Sequence, residues 1–183
     1  MKQLIYLLPG HGGRIANGLG QALVARGFDV VGRETVGEFK KLDFDVQVET
    51  VAQDLQASFW RDDAHVIANS YGAYLLLHAL SSLDSFPGKI LLLSPIVGEF
   101  SNDTIRMGFI PPYVKRLHQL ASQGKYPTLK HCEIHVGSED WQSIPDNVTA
   151  LALLVNAQVT VVKDEGHTLS KDYVGALLNK WLT

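Results

Sequence analysis

The sequence predicts an α/β domain: a three-layer sandwich with helices on both faces of a mostly parallel six-stranded sheet. Three observations carry the prediction. Six short runs are almost continuously apolar, as strands covered on both faces are. Helix-length segments with apolar residues three and four positions apart lie between most of these runs. Finally, the two kinds of segment alternate, which calls for right-handed crossovers between parallel strands.

Taken in order, the first strand is "QLIYLLP" from Gln3, stopped at Pro9-Gly10. Residues 15–26 read as a helix with Ile15, Leu19, Ala22, Leu23 and Ala25 apolar, and Gly27 ends it. The second strand, "FDVVGR" from Phe28, leads to residues 46–60, where Val48, Val51, Ala52, Leu55 and Phe59 recur at helical spacing. "HVIAN" from His65 is the third strand and runs directly into the helix-patterned "AYLLLHAL". "KILLLS" from Lys89, "CEIHVG" from Cys132 and "QVTVVK" from Gln158 complete the set. Residues 147–156 and 170–182 read as the last two helices. Ser170 is placed to cap the second, with Asp172 near its positive end.

Residues 95–130 break the rhythm. Pro111-Pro112 opens a helix predicted to run through Ala121, with Gly124 as its stop. An excursion this long implies a small cap over the carboxyl edge of the sheet. With no internal repeat or linker, residues 1–183 read as a single domain.

Composition narrows the function. The chain has 183 residues, 46% hydrophobic and 19% charged, with a formal net charge of −3. No basic run is present, which argues against nucleic acid as a partner. The apolar stretch Leu4–Leu8 is too short for a signal-peptide core and no transmembrane segment is read, so a cytoplasmic, non-membrane protein is expected. A lone cysteine, Cys132, excludes an intramolecular disulfide. The seven histidines are scattered: His131 and His135 fall on a predicted strand some 13 Å apart, so no metal site is expected. His78 and His118 fall on predicted helices and read as partly exposed packing residues.

Ser70 carries the chemistry. It stands where a strand passes directly into a helix, flanked two residues away by Ala68 and Gly72. A turn made in one residue strains that residue, lifts its side chain clear of the sheet, and leaves room only for small neighbours. In an open parallel sheet, this edge is where ligands bind. A plain helix cap is the alternative role for the serine. "PGHGG" after the first strand lacks both the Lys-Ser/Thr ending and the G-x-G-x-x-G spacing of phosphate loops.

The segment Ala68-Asn69-Ser70-Tyr71-Gly72 resembles the nucleophile elbow of the α/β-hydrolases, with alanine in place of the first glycine of G-x-S-x-G. That resemblance implies an acid and a base on loops after later strands, in the order Ser, Asp/Glu, His. "IHVGSEDWQSIP" and "VTVVKDEGHTL" match those loops, which maps Asp140 onto the acid and His167 onto the base; Glu139 is the rival acid. The backbone N–H of Tyr71 maps onto one oxyanion donor. By the family's H-G-x pattern His11 maps onto the second, with Gly12 as the substitute if the register slips by one. The resemblance extends over nearly the whole chain. In size, in its P-G-x-G-G loop and in lacking the family's first two strands, the chain is most similar to small single-domain serine hydrolases related to the retinoblastoma-binding hydrolase. It implies the second strand at one edge of the sheet, the first beside it, the third next and the rest in order.

A cofactor-free hydrolase of a small acyl substrate follows from the resemblance, carboxylesterase-like and acting on an ester, thioester or amide. A non-catalytic scaffold on the same fold and an acyltransferase using the same residues are the alternatives. Gly12, Asn69, Ser94, Phe109, Tyr113 and Trp141 are the expected substrate-binding residues. Met107, Phe109, Ile110, Tyr113 and Leu117 of the excursion either form an acyl or leaving-group pocket or simply cover the sheet.

Overall fold

The computed structural model describes residues 2–183. In chain order its elements are β1 (Leu4–Leu8), α1 (Gly18–Ala25), β2 (Asp29–Gly32), α2 (Gly37–Lys41), α3 (Phe44–Ser58), β3 (His65–Asn69) and α4 (Tyr71–Leu80). There follow β4 (Lys89–Leu93), β5 (Phe100–Asn102), β6 (Met107–Phe109), α5 (Arg116–Ser122), β7 (Cys132–Gly137), α6 (Pro145–Val155), β8 (Gln158–Val162) and α7 (Lys171–Trp181). Six strands form one sheet in the order β2-β1-β3-β4-β7-β8, and every pairing in it is parallel. The order is the one the hydrolase resemblance implies.

Side chains alternate across the sheet, so each central strand feeds two cores. Ile5 and Leu7 of β1 pack with Ile67, Leu91 and Leu93 beneath α1 and α7, where Leu23 and Leu178 are fully buried. Tyr6 and Leu8 face the other layer, joined by Val51, Leu55, Leu76, Leu117 and Val148 from α3, α4, α5 and α6. The edge strands β2 and β8 instead mix partly buried and exposed positions, because one of their sides has no neighbour. A polar staple reinforces this frame. The Tyr6 hydroxyl donates to Asp54 Oδ2 at 2.6 Å, and Arg33 grips the same carboxylate with two bonds of 2.6 and 2.7 Å.

Several elements differ from their sequence reading. The first helix starts at Gly18 rather than at 15, because the preceding loop is tied to the chain after β2: the Ile15 N–H donates to Glu34 Oε1. In the excursion, helix α5 begins only at Arg116. The Pro112 carbonyl accepts the Tyr74 hydroxyl, and Tyr113 adopts a positive φ of 55°, which breaks helical continuity. Two elements were not foreseen, the five-residue α2 and the antiparallel hairpin β5–β6. The hairpin's turn is organised by Asn102 Oδ1, which accepts the N–H groups of Thr104 and Ile105.

His78 is a correction. The sequence reading leaves it partly exposed, but it is 2% exposed, boxed by the rings of Phe44 and Tyr74 at 5.1 and 4.5 Å, and its Nε2 has no partner. The reason is that α4 is apolar around its whole circumference and is enclosed by α3 and the excursion. Burial pushes the pKa of the imidazole down to about 4, with the nearby Arg116 charge acting in the same direction and Asp45 against it. The folded protein therefore carries His78 neutral, whereas the unfolded chain binds a proton there from its ordinary value of 6.5 downward. Its contribution to stability is whole above pH 6.5 and is lost progressively as the pH falls to about 4, at a cost of about 3 kcal/mol. His78→Phe is expected to show a visibly shallower loss of urea stability over that interval. An unchanged acid slope would show that His78 does not set it.

Candidate active site

The turn from β3 into α4 is made at Ser70, with φ 53° and ψ −119°, a conformation rare for a residue with a side chain. The small neighbours are required sterically. Ala68 is fully buried, and a Cβ placed on Gly72 would lie 2.2 Å from the Leu8 carbonyl oxygen and 2.4 Å from that of Pro9. The amino end of α4 is thus pressed against the end of β1. The serine side chain does not cap the helix. Its Oγ lies 2.8 Å from His167 Nε2 instead.

Behind His167 stands a carboxylate. Asp140 Oδ1 and Oδ2 lie 3.0 and 2.9 Å from His167 Nδ1, and the Asp140 side chain is wholly buried. A carboxylate accepts, so Nδ1 carries the hydrogen and Nε2 is left to accept the Ser70 hydroxyl proton. Glu139, the rival acid, is exposed and forms no hydrogen bond or ion pair with the imidazole, whose carboxylate partner is Asp140. Oδ1 of Asp140 also accepts the backbone N–H groups of Gln142 (2.9 Å) and Ser143 (2.8 Å), which fix its plane. The two loops are stitched together: Glu139 N–H donates to the Glu165 carbonyl, and a Cβ on Gly137 would sit 2.1 Å from the same oxygen.

The glycine loop after β1 lies against the serine, since a Cβ on Gly10 would come within 3.1 Å of Ser70 Cβ. Three of its amides are engaged. Gly10 N–H donates to Asn69 Oδ1 (2.7 Å), Gly13 N–H to the Gly10 carbonyl and to Thr35 Oγ1, and Gly12 N–H to the Thr35 carbonyl at 3.3 Å. Among the described residues, no group accepts the N–H of His11 or of Tyr71. The unpaired amides beside Ser70 are thus those of His11 and Tyr71, while that of Gly12 is otherwise occupied.

The remaining expected site residues divide. Phe109 meets Tyr71 edge-on at 6.1 Å and Phe100 at 5.7 Å, and Phe100 in turn meets Trp141 at 5.6 Å, forming an aromatic row beside the serine. The His11 ring stands 6.0 Å from Tyr71. Asn69 spends its side chain on the loop. Ser94, at a positive φ of 43°, is 1% exposed and its hydroxyl has no partner. Tyr113 turns toward α3, donating to Asp45 Oδ2 (2.9 Å) and packing on Phe44, with no hydrogen bond to Ser70, Asp140 or His167. Of the other excursion residues, Met107 and Ile110 are exposed, whereas Leu117 belongs to the core.

Two participants escape a linear reading. Ser143, fully buried, donates from Oγ to the Ser94 carbonyl at 2.5 Å and lies 3.5 Å from His167 Nδ1; only its place three residues after Asp140 hints at it. Thr35 donates from Oγ1 to the Gly10 carbonyl and so clamps the glycine loop across 25 residues of sequence, and no local pattern marks it. Among the described residues no group of His, Cys, Asp and Glu could hold a metal ion, and no helix is long and apolar enough to cross a membrane.

No protein-family model and no curated protein matches the sequence. Solved structures do. The product of the ydeN gene of Bacillus subtilis is 16% identical with a TM-score of 0.66, covering 99% of each chain. Carboxylesterase CesB (YbfK) from Bacillus subtilis is 14% identical with a TM-score of 0.69, covering 99% of this chain and 84% of that one. 2-Hydroxy-6-oxo-6-phenylhexa-2,4-dienoate hydrolase from a Rhodococcus strain is 15% identical with a TM-score of 0.64, covering 99% and 90%. With a parallel six-stranded sheet in the order β2-β1-β3-β4-β7-β8 and helices on both faces, the chain has the α/β-hydrolase fold.

Proposed function

We propose that the protein is a serine hydrolase, carboxylesterase-like, that cleaves a small ester, thioester or amide through an acyl-enzyme on Ser70. The observation that carries this reading is the row Ser70 Oγ, His167, Asp140, with a hydrogen bond of 2.8 Å at one end and two contacts of 2.9 and 3.0 Å at the other. A serine hydroxyl is a weak nucleophile near neutral pH, and this row supplies the base it lacks. Carboxylesterases among the structural neighbours support the same class.

The steps follow from the atoms in place. Ser70 Oγ bonds to the substrate carbonyl carbon while its proton passes to His167 Nε2, and the carbonyl electron pair moves to oxygen. The free N–H groups of Tyr71 and His11 receive that oxyanion. Each such donor typically lowers the barrier by about 3 kcal/mol. His167, now charged and steadied by Asp140, gives its proton to the leaving oxygen, sulfur or nitrogen as the bond from carbon breaks. Water repeats the sequence, its proton going to His167 and then to Ser70 Oγ, and the carboxylic acid leaves. No cofactor enters this scheme.

A fluorophosphonate probe is expected to label the wild-type protein within minutes and to leave Ser70→Ala unlabelled, with hydrolysis of p-nitrophenyl acetate falling by about 10⁴-fold or more in that variant. An unlabelled wild-type protein would favour the scaffold reading, and a labelled, active Ser70→Ala would overturn the assignment. Asp140→Asn keeps the shape but frees the imidazole to take the wrong tautomer, and kcat is expected to drop by about 10³- to 10⁴-fold. A drop of less than tenfold would show that another group orients His167.

A further inference from the structure

Beside the proposed triad a groove of about 800 Å³ opens on the α1 and α7 face of the sheet, on the side away from the excursion. At its upper end it is lined by Gly10, His11, Asn69, Ser94 and His167, which surround the serine. From there its walls are mainly apolar, with Leu19 and Ala22 from α1, Leu169 and Val174 from the loop before α7 and α7 itself, over a floor of Leu7 and Leu93. The exposed Arg14, Asn17, Gln21, Thr168 and Lys171 also line it. No residue of the 95–130 excursion lines it.

The groove has an end as well as a mouth. Both helices start at the carboxyl edge of the sheet and run back along it, so a groove between them leads away from His167. At the far end Arg26 reaches from the C-cap of α1 to α7, donating to the Gly175 carbonyl at 3.1 Å and to Asn179 Oδ1 at 2.9 Å, and holding the Ala22 carbonyl at 2.9 Å. That bridge closes the slot. The seven 1.5 Å steps along α1 from Gly18 to Ala25 set its length at about 10 Å, the span of roughly eight carbons in an extended chain.

A long, mainly apolar channel of fixed length, open beside His167 and Gly10, which flank Ser70, and stopped by a guanidinium, suits one kind of occupant. We infer that it receives an unbranched apolar arm of the substrate, of up to about eight carbons, so that selectivity for chain length resides between α1 and α7 and not under the excursion. The inference rests on the serine-hydrolase reading and names the substrate class for it. The small residue Ala22 keeps the channel open, and the van der Waals and desolvation gain of each methylene laid along it supplies the selectivity. A fully buried methylene is worth about fourfold in an equilibrium, and a half-open groove returns less.

Two ester families test this on the full-length protein: straight-chain alkyl acetates from ethyl to dodecyl, and p-nitrophenyl esters from acetate to dodecanoate. One of them is expected to show kcat/KM rising at least about tenfold between two and eight chain carbons and then ceasing to rise; the family that does so identifies the arm. Ala22→Trp and, from the opposite wall, Val174→Trp fill the slot and are expected each to bring the eight-to-two-carbon ratio within about twofold of unity. Flat profiles in both families, with short esters turned over by the wild type, overturn the inference and leave the hydrolase reading intact. A rise that persists undiminished in a folded Trp variant overturns it too, since the chain then lies elsewhere, against Phe109 and Trp141. A wild-type protein inert to every ester and to the fluorophosphonate probe overturns the hydrolase reading, and the groove's role falls with it.

Discussion

The backbone bend at Ser70 is the constraint on which the rest of the architecture depends. A residue with a side chain held at φ 53° and ψ −119° costs on the order of 1–3 kcal/mol, and it persists only if its surroundings leave no alternative. Here they leave none. The Ser70 N–H donates to the Leu93 carbonyl, and its own carbonyl accepts the N–H groups of Ala73, Tyr74 and Ile96. The helix behind it cannot retreat or rotate, because Gly72 lies against the end of β1 where even a methyl group would collide with Leu8 and Pro9. Strain at one residue is thus held by the packing of β1, β3, β4 and α4 together.

From that bend the site is assembled by loops that leave the same edge of the sheet. Parallel pairing forces every carboxyl end to one side, so chain segments distant in sequence emerge as neighbours. The loop after β1 brings the unpaired amide of His11 beside that of Tyr71 at the start of α4, the loop after β7 a buried carboxylate, and the loop after β8 an imidazole between carboxylate and hydroxyl. Each functional group is held by another that does no chemistry. Thr35 clamps the glycine loop, Asn69 orients its first amide, and Ser143 fastens the acid loop to the end of β4.

The two sides of the serine differ in character. On one, Tyr71, Phe109, Phe100 and Trp141 make an aromatic wall supplied largely by the excursion and the acid loop. On the other, the helices α1 and α7 leave an apolar channel between them, bridged at its foot by Arg26. Under the proposed reaction a substrate at Ser70 has two arms, and the protein offers two environments of unlike shape.

Much of this was legible along the chain. Continuous apolar runs marked β1, β3, β4 and β7 because central parallel strands are buried on both faces, and small residues around Ser70 marked the bend because sterics there act between near neighbours. Asp140 and His167 could be placed through the resemblance, which supplies their order after the strands. What the sequence did not reveal was whatever arises between segments far apart: the burial of His78 beneath the excursion, Thr35 holding Gly10, Tyr113 turned to Asp45, the hairpin β5–β6. Local pattern determines which element a residue joins and which face it shows, since those depend on neighbours within a few positions. The clamps, the unpaired amides and the groove are products of how completed elements dock, and only the packed structure decides them.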